Sequence, residues 1–259
     1  MTRKNAESEG ELEQRLYSNL SPAQRARRIA RLRQLATGLN AATVALVIAV
    51  LVVSDSYPLL LALLAVLPWI AIGLVARFQP FYRFGVRRGA PHPDLTLPLM
   101  VPGLLMVLPV LASIHTLSWK APVLVAVAGG IALAGIAARV DPWFRQHRWN
   151  VLLVGLFACA YGYGAGMELN ARADPTDPRI YPVRVLTKHV TRGSKSTTWA
   201  LKLGPWGPYP QSQEVSVTAS RYRATQPGDL VCVYLGSGAL GIAWYRIGDC
   251  LAQPASSSS

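Results

Sequence analysis

Charge is scarce in this chain. Asp, Glu, Lys and Arg make up 15% of its 259 residues, against about 25% in an average soluble domain. The shortage is concentrated in five apolar stretches, Leu35–Val53, Leu59–Ala76, Leu97–Leu117, Ala121–Ala138 and Trp149–Met167, none of which holds an Asp, Glu, Lys or Arg. Each is close to the ~20 residues that a helix needs to cross a hydrocarbon core of ~30 Å. A water-soluble helix of that length needs a polar stripe, and these have none. That excludes an ordinary soluble fold for this part of the chain.

Chemistry-bearing residues are equally sparse. The four histidines, His92, His115, His147 and His189, are scattered and never paired at ligand spacing. Gly236-Ser237-Gly238 lacks the G-x-S-x-G order of a nucleophile elbow and reads as a hairpin turn. His92-Pro93-Asp94 reads as a turn ahead of the third apolar stretch. No nucleophile, acid pair, metal set or cofactor motif emerges, so the sequence does not point to an enzyme. His92 and His147 share one face with Asp94 and Asp141, where a metal site is conceivable. His115 is the one titratable group placed inside an apolar stretch, near its outer end.

Twenty-six Lys and Arg against 13 Asp and Glu leave a formal charge of +13. The basic residues crowd around the ends of apolar segments, a pattern set by lipid headgroups and insertion rather than by nucleic acid. Eight lie before Leu35, four between Arg77 and Thr96 and three between Arg139 and Arg148, while the two intervening turns share only Lys120. By the positive-inside rule the N-terminus and both longer loops face the cytoplasm, and five crossings put the C-terminus outside. Arg outnumbers Lys 21 to 5, a composition that suggests a GC-rich bacterial genome and hence a bacterial cytoplasmic (inner) membrane. No short apolar leader precedes the first stretch, which is expected to stay in place as a signal anchor.

Residues 1–34 form a cytoplasmic tail with a basic helix. That helix starts at Ser21, with Pro22 at its first position and Gln24 completing a capping box. Arg25 to Arg33 carries five arginines and no acid; it is either a solvated basic collar or an amphipathic helix lying on the membrane surface. Residues 35–168 form the five-span domain. Ala126, Gly130, Ala134 and Ala138 in the fourth span, and Ala158, Gly162 and Gly166 in the fifth, make smooth faces that predict close packing of the two helices. Pro102-Gly103 and Pro109 kink the third span.

Residues 169–178, with Asp174-Pro175-Thr176-Asp177-Pro178, form a turn-rich linker. Beyond it, residues 179–253 form a small antiparallel β-domain with strand-like runs at Tyr181–Val190, Thr197–Leu203, Glu214–Thr218, Leu230–Leu235 and Ile242–Ile247. Residues 254–259 read as a disordered tail. This layout, with the Gly228–Val233 strand start, resembles that of the NfeD-like membrane proteins, whose tail is an OB-fold; the five helices and the cysteine pair depart from it, and no function is carried over.

Cys232 and Cys250 are the two cysteines outside the apolar stretches, where an oxidising compartment lets a pair persist, while Cys159 stays a free thiol mid-span. For them to meet, the chain after Gly248 has to turn back. Trp206 and Tyr209, in the Gly204–Pro210 loop, are the candidate partner-binding residues. The expected partners are the bilayer and an envelope protein or glycan, with no nucleic acid, no cofactor and an open oligomeric state. The alternative is a small transporter or oligomeric pore with His115 and the kinked third span along its pathway.

Overall fold

A computed structural model describes residues 20–52, 58–79, 81–85, 93–146, 148–193 and 197–250. The early tail, His92, His147 and residues 251–259 lie outside this set, so the readings placed on them stay as read from sequence. Helices come first: α1 (Pro22–Val52), α2 (Pro58–Arg77), α3 (Thr96–Ser113), α4 (Lys120–Val140), a single turn and a half α5 (Pro142–Gln146), and α6 (Arg148–Arg172). Among the described residues five of these are long and apolar enough to cross a membrane. An antiparallel β-sheet follows, so the molecule is a multi-pass helical membrane protein bearing a distinct extramembranous domain.

The chain divides into two compact units, one of residues 1–106 and 126–162, the other of residues 107–125 and 163–259. The first is helical. Its opening helix is capped as the sequence requires, Ser21 N donating to Gln24 Oε1 (3.2 Å) and Gln24 N to Ser21 Oγ (3.4 Å). From there α1 runs unbroken for 31 residues, about 46 Å at 1.5 Å per residue. The basic collar and the first apolar stretch are therefore one helix. Small residues let α4 and α6 touch at backbone distance. A Cβ built on Gly129 would stand 2.8 Å from Gly162 Cα, and one on Gly130 would stand 2.9 Å from Cys159 Cα. The close approach predicted from Gly130 and Gly162 is present, with Gly129 as a further member of the face. On α2, Pro68 interrupts the hydrogen-bond ladder. Trp69 Nε1 donates to the Tyr161 hydroxyl (3.0 Å), which donates to Ala65 O (2.6 Å), meeting the backbone next to that break.

The second unit contains six strands: β1 (His115–Thr116), β2 (Arg179–Arg192), β3 (Thr197–Leu203), β4 (Gln213–Val217), β5 (Leu230–Gly236) and β6 (Trp244–Gly248). They form one curled antiparallel sheet, a half-barrel, in the order β1-β6-β5-β2-β3-β4. A short helix, α7 (Ala219–Ala224), is capped by Thr218, whose hydroxyl accepts from Arg221 N. The core is made by alternate residues of the inner face, Val183, Val185, Leu201, Leu203, Val215, Val231 and Val233, with Trp206 and Tyr245. A register irregularity between Val185 and Thr187 changes the inward parity of β2. Beyond it Lys188 lies 4.3 Å from the Tyr222 ring centroid and donates to Thr225 O (2.5 Å).

Two expected boundaries move. The third helix ends at Ser113, whose hydroxyl donates back to Pro109 O (2.6 Å). His115 is thus not a residue of a span: it pairs with Tyr245 in the sheet. The last helix runs on to Arg172, so the first residues of the expected linker are helical.

Replacing Gly130 or Gly162 with Leu should lower the thermal midpoint of the detergent-solubilised protein by roughly 3–10 °C, from an overpacking cost of about 1–3 kcal/mol. Gly135→Leu is the control, since nothing lies within 4 Å of a Cβ there. Equal midpoints for all three variants would remove the helix interface.

Candidate functional site

The turn Gly236-Ser237-Gly238 is built around two side chains contributed from the end of α6 and just past it. Asn170 is fully buried. Its Nδ2 donates to Ile242 O (2.8 Å), its Oδ1 accepts from Leu240 N (2.9 Å), and its carbonyl accepts from Ala239 N (2.9 Å). Asp174 accepts from Gly238 N (2.6 Å) and Trp244 Nε1 (3.2 Å) through one oxygen, and from Thr176 N (3.1 Å), Thr176 Oγ1 (2.7 Å) and Ser237 Oγ (3.3 Å) through the other. The Thr176 hydroxyl and the Gly238 amide hold this carboxyl well below the usual carboxylate range. Gly238 has φ +79°, and a Cβ there would meet the Asn170 amide at 2.4 Å. Ser237 is thus a turn residue tied to an acid, with no base beside it. Below the turn, Ile242 and Trp244 pack on Val110, Ile114 and Met167, so the outer face of β6 rests on the ends of α3 and α6.

The two edges of the half-barrel, β1 with β6 on one side and β4 on the other, are drawn together by side chains. Gln213 Nε2 donates to the Tyr245 hydroxyl (3.1 Å). The His115 ring stacks on Tyr245 (centroids 5.2 Å apart, planes 29° apart) and hydrogen-bonds the Ser216 backbone. Arg221 on α7 pairs with Asp249 past β6. Burial pushes the His115 imidazole below its ordinary value, with the Ser216 bond opposing. Burial, then the neighbouring Tyr209, pushes the Tyr245 hydroxyl up to about 12. Both rings are therefore neutral near pH 7.

Trp206 and Tyr209 meet here. Their backbones form a tight reciprocal pair, Trp206 N to Tyr209 O (2.8 Å) and Tyr209 N to Trp206 O (2.7 Å), and Gly207 supplies the positive φ of +38° that the turn needs. The Trp206 ring is 5% exposed and lies against Tyr181, Tyr209 and Tyr245 at centroid distances of 5.0–5.8 Å. Tyr209 is half-buried, while Pro205, Gly207 and Pro208 face outward. Trp206 Nε1 and Gln213 Oε1 are buried with no hydrogen-bond partner, a free donor and a free acceptor beside Tyr245.

Cys232 and Cys250 are bonded, with Cα atoms 4.9 Å apart, and Cys159 is a free thiol. Cys232 pairs in register with Gly248, so the chain does turn back after Gly248 to bring Cys250 across. In the chain-entropy account, closing a loop with an 18-residue separation is worth roughly 3 kcal/mol. Asp94 and Asp141, considered from sequence beside His92 and His147, are occupied by backbone amides: Asp94 accepts from Thr96 N (2.9 Å) and Asp141 from Phe84 N (2.9 Å). Among the described residues no three His, Cys, Asp or Glu side chains gather as a metal set. Asn170 and Gln213 carried no sequence signal, because each works on residues distant in the chain; Asp174 was read only as part of a local turn, and its hold on Gly238 and Trp244 was not legible. Compared with family models, curated proteins and solved structures, the chain matches none.

Two outcomes follow from this site. The folded His115 pKa lies below its unfolded value, so its stability is present above about pH 6.5 and lost as pH falls through the window beneath. The thermal midpoint should therefore drop between pH 7.5 and 5.5, and His115→Gln should flatten that slope; an unchanged slope would refute the assignment. A fragment beginning at Arg179 lacks β1, Asn170 and Asp174. Its Trp244–Gly248 amides should exchange with solvent faster than in the whole chain, and equal protection would show that β1 contributes nothing.

Proposed function

We propose that this protein is a bacterial cytoplasmic-membrane anchor that holds a periplasmic β-domain for binding an envelope partner, protein or glycan. The supporting observation is the Cys232–Cys250 bond, which belongs to an oxidising compartment and agrees with the charge bias. Counting the tail before Leu35 and the connections between the apolar stretches, fifteen basic residues lie on one side and one on the other. On this reading residues 1–34 are cytoplasmic, residues 35–168 span the membrane five times, and residues 179–253 are outside. The partner surface is the Gly204–Pro210 loop. Tyr209 and the exposed Pro205, Gly207 and Pro208 form its outer ridge over the buried Trp206 ring. A rigid aromatic layer under a short loop loses little entropy when it binds, and its neutrality suits a neutral partner.

Alkaline phosphatase fused after Ser220 should be active and fused after Arg88 inactive. Alkylation of the denatured, unreduced protein should then find one reactive thiol, Cys159. The opposite fusion pattern overturns the orientation, and three reactive thiols overturn the compartment. For the partner surface, envelope extracts crosslinked to the full-length protein should lose their specific adduct on Tyr209→Ala with Pro208→Ala. Retention of that adduct would move binding elsewhere on the domain.

A further inference from the structure

One end of the helical unit is assembled around a short segment, Phe78–Gly85. Tyr82, fully buried, donates its hydroxyl to Leu32 O of α1 (2.7 Å). Phe84, also fully buried, meets Phe144 of α5 edge-on at 6.0 Å. Gly85 O accepts from Asn150 Nδ2 of α6 (3.2 Å), and Arg83 N donates to Pro93 O (3.4 Å). Asn40 Nδ2 of α1 donates to Asp94 O (3.0 Å). These contacts bring the Leu32–Asn40 stretch of α1, the end of α2, the start of α3, the α4–α5 junction and the start of α6 to the same end.

Arginines come with them. Arg27 and Arg31 on α1, Arg77 on α2, and Arg139 and Arg145 on either side of Asp141 are all exposed, and Arg83 is half-buried. This unit has two acids among its described residues, Asp94 and Asp141. Asp141 is 3% exposed and accepts from Phe84 N and Phe144 N; Asp94 accepts from the Thr96 amide and hydroxyl. Both carboxylates are thus spent on capping and on holding the hub. Among the described residues none of those six arginines has an ion-pair partner. Trp149, near the start of α6, is 83% exposed, as an aromatic ring at headgroup depth would be.

We propose that this arginine-ringed end is a binding surface for anionic phospholipid, taking the headgroup phosphate. A guanidinium presents a planar fork of donors that fits a phosphate in a way an ammonium does not. Six such groups around one end, with the only acids among the unit's described residues turned inward, make a site selective for negative over zwitterionic headgroups. The proposal holds whichever side of the membrane this end faces, and it is independent of any partner bound by the β-domain.

The test uses the full chain in neutral detergent, titrated with phosphatidylglycerol, cardiolipin or phosphatidylcholine and read by native mass spectrometry. The two anionic lipids should bind about tenfold or more tightly than phosphatidylcholine, with the preference weakening in high salt. The combined variant Arg31→Gln, Arg139→Gln, Arg145→Gln should lose that preference roughly tenfold. In the tail and the connections between spans, twelve basic residues against one then remain to orient insertion. Lys at the same three positions should recover it in part. Arg179→Gln with Arg184→Gln and Arg246→Gln, in the β-domain, should leave it unchanged. Equal binding of anionic and zwitterionic lipid overturns the proposal, as does wild-type preference in a Gln variant whose thermal midpoint is intact. Displacement of the lipid by single-stranded DNA at equal phosphate concentration overturns it in favour of a soluble polyanion.

Discussion

Backbone amides and carbonyls at the end of a sheet must be met by some partner, and β6 meets this requirement with residues from far back in the chain. His115 and Thr116, between α3 and α4, pair with Tyr245 and Trp244. Much of the second unit depends on that pairing. It places the His115 ring on Tyr245, it seats Trp244 against Val110, Ile114 and Met167, and it sets the inner edge that Gln213 reaches from β4. Asn170 and Asp174 then secure the turn that leads into β6 from the other direction. The β-domain is therefore continued into the helix ends of its own unit.

The acids of this chain are used differently from its bases. Asp94, Asp141 and Asp174 each accept from backbone amides, and Asp229 does the same for Gln226. A carboxylate can accept several bonds at once, so a few acids suffice to hold turns and caps. Arg139 and Arg145, by contrast, flank Asp141 with their charges outward. A chain with half as many acids as bases that also spends its acids on backbone amides presents an almost purely positive surface where its arginines gather.

The five apolar stretches were legible because hydrophobicity adds along the chain: the interiors of the long helices fall within the stretches from Leu35 to Met167. The strands from Arg179 onward were legible for a similar reason, since alternation and turn residues are local. The Cys232–Cys250 pair was legible because these are the two cysteines outside the apolar stretches. The third helix was read four residues too long, because Ile114-His115-Thr116-Leu117 has apolar character whether it continues a helix or pairs as a strand. Ala219–Ala224 was not recognised as helical at all, six residues being too few to carry a period.

Sequence alone determined that this chain crosses a membrane on long helices and ends in a small disulfide-bonded β-domain. Both follow from what each segment can bury and from the two cysteines lying outside the apolar stretches. Only the tertiary structure decided that His115 belongs to the sheet, that Trp206 is turned into the core, and that Asn170 and Asp174 hold the β5–β6 turn. Those outcomes depend on contacts between residues some 25 to 130 positions apart. The energy of such a contact is a property of two surfaces brought together, and no window of neighbouring residues contains it.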